Sequence, residues 1–300
     1  GRDTPVATGS TNQEALSGKF PAPPTPLIGR EKELIALGEL LADPGCHLIT
    51  ITGMGGVGKT HLALAVAHEW ADTFAHSAAF VSLAGLASAE ILASAILAGF
   101  NIRLQGQHHP QEQLLKYLQN KEQLLVLDNF EHLLAGVSLI TAILQQAPQV
   151  TLLITSRERL NLRPEWCFDL EGLSYPERGI VNETEEYSAI QMFTQRARQL
   201  AVNSIQAPLD QHCVARICSL VEGMPLAIEL AAAWLRFRSC AEIEQALAQS
   251  LRFLTISTHD MPARHRSLRA VFDYSWGLLS ERERGLLEEA AIFRGGFGQD

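Results

Sequence analysis

Between residues 26 and 173, short apolar runs alternate with segments of helical spacing. The runs at 46–52, 78–83, 123–127 and 150–155 are apolar almost throughout, and the spacing predicts strands buried on both faces. Leu34, Ile35, Leu37, Leu40 and Leu41 predict a first helix, which Asp43-Pro44-Gly45 breaks. Further helices are predicted over 59–70, 88–98, 110–119 and 132–146. Buried strands joined by helical crossovers imply a parallel sheet with helices on both sides, a three-layer α/β unit ending near residue 173.

The pattern then changes. Only helices are predicted between 185 and 250, at about 185–201, 209–221, 225–235 and 241–248. Ser239 and Glu242 form a capping box, in which each side chain satisfies an orphan N–H at a helix start. A final segment from residue 262 carries a helix through Trp276, a second box at Ser280 and Glu283, and a helix to about Phe293. The first 25 residues, rich in Gly, Thr, Ser and Pro, predict a flexible linker cut from a longer protein. The expected divisions are therefore 1–25, 26–173, 174–258 and 259–300, with no internal repeat.

Composition narrows the function. Charged residues are only 19% of the chain and the net charge is -9, which excludes a broad basic face tracking nucleic-acid phosphates or anionic lipid. The stretch 77–100 is the most apolar, yet it carries Glu90, several serines and two glycines and predicts a strand and a helix rather than a membrane span. No signal-peptide succession opens the chain. Five scattered cysteines, Cys46, Cys167, Cys213, Cys218 and Cys240, predict core thiols in a reducing cytoplasm rather than a disulfide framework or a zinc site.

The chemistry concentrates at Gly53-Met54-Gly55-Gly56-Val57-Gly58-Lys59-Thr60, a G-x-x-x-x-G-K-[ST] string between a strand and a helix. Its glycines let backbone N–H groups converge on phosphate oxygens, and Lys59 reaches the β and γ phosphates. The Thr60 hydroxyl ligates magnesium. Residues 124–127 deliver Asp128 to a strand end, where a carboxylate holds the same ion. Asn129 follows where a catalytic base is expected, which makes Glu131 the nearest carboxylate for that role; equally, Glu131 opens the next helix. Arg157 ends the run 150–155 through Thr155-Ser156 and is positioned to read a γ-phosphate.

Five elements in order now resemble one family. Leu27-Ile28-Gly29-Arg30-Glu31, the phosphate loop, Leu127-Asp128, Thr155-Ser156-Arg157 and Gly223-Met224-Pro225-Leu226-Ala227 look like the NB-ARC type of STAND ATPase, with AAA+-like architecture. Its bacterial branch of AfsR or LuxR-like regulators fits best, through Val126-Leu127-Asp128-Asn129-Phe130-Glu131-His132 and Phe293-Arg294-Gly295-Gly296-Phe297. The resemblance implies that Ile28, Gly29 and Arg30 border the adenine, that Gly55, Gly56, Val57, Gly58, Lys59, Thr60 and His61 surround the phosphates, and that Pro225 closes over the nucleotide. It also implies the start of a winged-helix domain over 259–300; the sequence departs from the family there in having no counterpart of its Met-His-Asp contact.

The expectation is an ATP- or ADP-binding, Mg2+-dependent switch with slow hydrolysis, closed with ADP and open for self-association with ATP. Effector and sensor domains lie outside this chain, and neither membrane nor nucleic acid is an expected partner of it. Two other readings are a P-loop kinase or motor with true turnover, and a DNA-binding module acting through Arg264, His265, Arg266 and Arg269.

Overall fold

The structure is a computed structural model and describes residues 26–103, 109–176, 187–200, 209–249, 276 and 281–290. Five parallel strands, β1 (Leu48–Thr52), β2 (Ala78–Ser82), β3 (Gln123–Asp128), β4 (Val150–Thr155) and β5 (Trp166–Asp169), lie in the order β2-β3-β4-β1-β5. Because side chains alternate across a strand, β1 to β4 each feed two cores. Leu125, Leu127, Leu152 and Ile154 pack on α3 (Leu92–Gly99), α4 (Pro110–Leu118) and α5 (Val137–Gln146). Ile49, Ile51, Val126 and Leu153 pack on α1 (Glu31–Ala42) and α2 (Lys59–Trp70). Full burial of each such side chain contributes about 1.5–3 kcal/mol, and this sets the three layers.

Two predicted helices begin differently. Ser88 Oγ accepts from the Glu90 N–H at 3.1 Å, which caps a 3-10 turn (Ala89–Ile91) ahead of α3. The helix expected over 132–146 is split: a 3-10 stretch, Glu131–Gly136, contains the non-helical Leu133, and regular helix starts at Val137. Strand β5 has no counterpart in the prediction. Its residues are largely exposed, so no apolar run marks them, and pairing of Ile49 with Trp166 through Thr52 with Asp169 creates the strand at the sheet edge.

Helices α6 (Ser188–Leu200), α7 (Gln211–Leu220), α8 (Pro225–Trp234) and α9 (Cys240–Gln249) enclose a separate core containing Phe193, Val214, Ile217, Ile228 and Ile243. The first capping box is present: the Ser239 N–H donates to Glu242 Oε2 at 2.8 Å, and the Glu242 N–H to Ser239 Oγ at 3.4 Å. The cysteine expectation needs correcting, because Cys213 on α7 is disulfide-bonded to Cys240 on α9 and Cys167 is exposed. Cys46 and Cys218 are buried, and burial pushes their thiols up to about 11 and about 12. Spacing could not reveal the bond, since the packing of α7 on α9 brings together residues 27 apart.

Of the last segment, Trp276 and α10 (Glu281–Ala290) are described, with Arg284 Nε donating to the Trp276 carbonyl at 3.0 Å. The linker, Arg264, His265, Arg266, Arg269, Ser280 and most of the expected winged helix lie outside the described residues. Among the described residues no helix is long and apolar enough to cross a membrane.

Candidate functional site

The phosphate loop leaves β1 after Thr52 and enters α2 at Lys59, at the C-terminal edge of the sheet where neighbouring connections diverge. Helix α2 has no side-chain cap at its N-terminus, so its first N–H groups stay available to an anion. Lys59 Nζ folds back over the loop, donating to the carbonyls of Gly53 at 2.6 Å and Met54 at 3.0 Å. Burial lowers its pKa to about 8, opposed by the negative charge of Glu131, reinforced by Arg157 and opposed again by Asp128. A phosphate placed here would supply the charge that the ammonium lacks.

Asp128 is buried at the end of β3, and its Oδ1 accepts from Thr60 Oγ1 at 2.6 Å and Thr155 Oγ1 at 2.7 Å. Two oxygens from separate elements therefore converge, a donor set that suits a hard divalent cation such as Mg2+. Asn129 adopts φ +69 and its N–H donates to Thr155 Oγ1 at 2.9 Å. Asn is among the few residues that tolerate this left-handed conformation, a conformational reason for Asn at this position. Arg157 stands past β4, which pairs directly with β3, and its Nε donates to Glu131 Oε1 at 3.1 Å. Their side chains are 14% and 2% exposed. Glu131 thus opens the 3-10 stretch with one oxygen committed to Arg157, while its buried Oε2 has no hydrogen-bond partner.

A cleft open to solvent, with a cavity of about 60 Å³, adjoins the loop. Ile28, Arg30, Val57, Gly58 and His61 line one side, and Pro225 with α6 lines the other. Gly29 packs against Ser188, which exchanges hydrogen bonds with Ser174. Arg30 is buried, and its guanidinium donates to the Val57 carbonyl at 3.2 Å and the Glu171 carbonyl at 2.7 Å while pairing with Glu33 at 2.6 Å. It therefore ties the loop backbone to the segment that leaves the sheet, a role beyond bordering a base.

Pro225 starts α8 at the first turn, and the next residue, Leu226, donates its N–H to the Gly56 carbonyl at 3.2 Å. Gly223 makes that approach possible: at φ +64, any Cβ there would lie 2.0 Å from the Leu173 carbonyl oxygen. Gly29, Gly55, Gly56, Lys59 and Thr60, also expected around the nucleotide, are not among the residues that line this cleft. Sequence reading missed the α6 wall, where Met192, Gln195, Arg196 and Gln199 face the cleft and Arg196 pairs with Glu229 of α8 at 3.0 Å. Their spacing of three and four was a legible signal for a single helix face.

Comparison with known protein families matches residues 30–160 to the NB-ARC domain. A Mycobacterium tuberculosis protein named as an HTH-type transcriptional regulator is 34% identical over 252 residues, covering 84% of this chain and 27% of that protein. An uncharacterised M. tuberculosis protein is 32% identical over 281 residues, covering 92% of this chain and 67% of its own length. Among solved structures, a Pyrococcus horikoshii signal transduction ATPase with numerous domains, bearing a tetratricopeptide repeat sensor, aligns at TM-score 0.45 and 16% identity, over 89% of this chain and 35% of the other. The chain thus spans about a quarter of the length of the regulators it matches.

Proposed function

Since this chain belongs to the NB-ARC family of STAND P-loop ATPases, we propose that it is the nucleotide switch of a longer signalling protein. ATP or ADP occupies the cleft, with the phosphates at the loop from Gly55 to Thr60 and the adenine beside Ile28. Thr60 and Asp128 would hold a Mg2+ ion, which would neutralise phosphate charge. Arg157 distinguishes the third phosphate, and hydrolysis is slow because Asp128 is followed by Asn129, whose amide does not accept a proton as a carboxylate does. The ADP form is closed, and the ATP form opens and self-associates.

The observation that carries this reading is the Leu226–Gly56 hydrogen bond, because it couples the helical bundle to the backbone that contacts phosphate. A ligand at the loop then has different contacts in closed and open arrangements, the requirement for shifting their populations. The M. tuberculosis relative named as an HTH-type transcriptional regulator supports transcription control as the output of the longer protein.

The purified chain should release ADP on denaturation, and Lys59→Ala should abolish nucleotide binding while preserving the fold. Absence of adenine nucleotide in the denatured supernatant, together with no ADP binding by titration, would refute the reading. Multiple turnover well above about one per minute would instead favour an enzyme with a second substrate.

A further inference from the structure

Glu131 and Arg157 reach one another from the ends of adjacent strands, Glu131 three residues beyond Asp128 and Arg157 two beyond Thr155. Both are shielded from solvent, and the pair is joined at 3.1 Å through one carboxylate oxygen. The other oxygen, Oε2, is buried without a hydrogen-bond partner. A buried carboxylate recovers its lost hydration only when all its lone pairs are satisfied. This ion pair is therefore incompletely compensated and open to exchange. It also lies within Coulombic reach of the phosphate loop, since both charges act on Lys59.

We propose that Glu131 is a positioning residue, an internal substitute for the γ-phosphate that holds Arg157 until ATP arrives. The inference rests on the reading of Arg157 as the group that meets the third phosphate. A terminal phosphate offers three strong acceptor oxygens and more negative charge than one carboxylate, so it wins the guanidinium on arrival. ADP has no such group and leaves the pair in place. ATP must displace Glu131 whereas ADP need not, so Glu131 selectively weakens ATP binding and biases the resting chain toward ADP. The role differs from that of a general base: Glu131 acts through Arg157, on nucleotide choice.

The test is a set of titrations of the chain, E131Q, R157Q and E131Q/R157Q with ADP and a non-hydrolysable ATP analogue at one ionic strength. E131Q should shift the preference toward the ATP analogue by roughly 5- to 100-fold, the usual range of coupling between linked sites. In the R157Q background the same substitution should leave that preference within about twofold. An equal gain for both nucleotides, or an ATP-selective gain that persists without Arg157, would overturn the proposal and reduce Glu131 to a general negative field. If thermal melts show E131Q unfolded, E131D, which retains the charge but withdraws it by one methylene, must show a smaller ATP-selective gain; none would overturn the proposal. Binding of neither nucleotide by the native chain would refute the switch reading itself, an outcome distinct from binding without coupling.

Discussion

The Leu226 N–H donates to the Gly56 carbonyl at 3.2 Å, and a Cβ on Gly56 would stand 2.9 Å from the Leu226 Cβ. The helical bundle thus holds the phosphate loop by its backbone. Gly56→Ala places that Cβ at φ +86, in a region strained for alanine, and should speed release of fluorescent ADP about tenfold in stopped flow, equivalent to roughly 1.4 kcal/mol. Leu226→Ala, at a buried site, should cost about 2–4 kcal/mol in urea unfolding. An unchanged ADP release rate in Gly56→Ala would show that the contact does not govern retention.

Removing one member of the Glu131–Arg157 pair should harm stability more than removing both. Arg157→Ala leaves a buried carboxylate without its cation and should cost about 3 kcal/mol. The E131Q/R157Q double variant should lose clearly less than the sum of its single substitutions, as read from chemical denaturation. Additive losses would mean that the two side chains do not interact in solution.

Lys59 gives a pH-dependent signature. Its folded pKa of about 8 lies below the ordinary 10.5, so the folded chain surrenders a proton that the unfolded chain retains. Stability of the ligand-free chain should therefore rise as pH climbs from about 8 to about 10.5 through this group. Phosphate beside the ammonium reverses the shift, so binding metal-free ADP at pH 8 should take up about half a proton through Lys59. Calorimetry in two buffers of different ionisation enthalpy measures that number, and proton release at pH 8 would contradict the placement of Lys59.

Thiol chemistry tests the cores. Cys167 is exposed and should alkylate first with iodoacetamide at pH 8, although burial and the neighbouring carboxylates raise its pKa somewhat. Cys46 and Cys218 are buried, with pKa values near 11 and 12, and should react only on unfolding. Cys213 and Cys240 should become reactive only after reduction, a result that peptide mass spectrometry distinguishes.

The sequence by itself determined the sheet unit, its helical layers and the phosphate loop, because each rests on signals local to a few residues. Apolar strands, helical spacing and a glycine-rich turn before Lys59-Thr60 need no distant partner to be recognised. The convergence of Thr60 on Asp128 also followed from motif order and strand ends.

Only the tertiary structure decided features whose partners lie far apart along the chain. Strand β5 is a strand because β1 offers an edge to pair with, and its own exposed residues carry no apolar pattern. Arg30 became a tie between carbonyls 27 and 141 positions away, and Glu131 became the counter-ion of Arg157 rather than an unengaged carboxylate. A charged side chain fixes its partner by what remains when water is excluded, and burial is a property of the assembled layers rather than of the residues beside it.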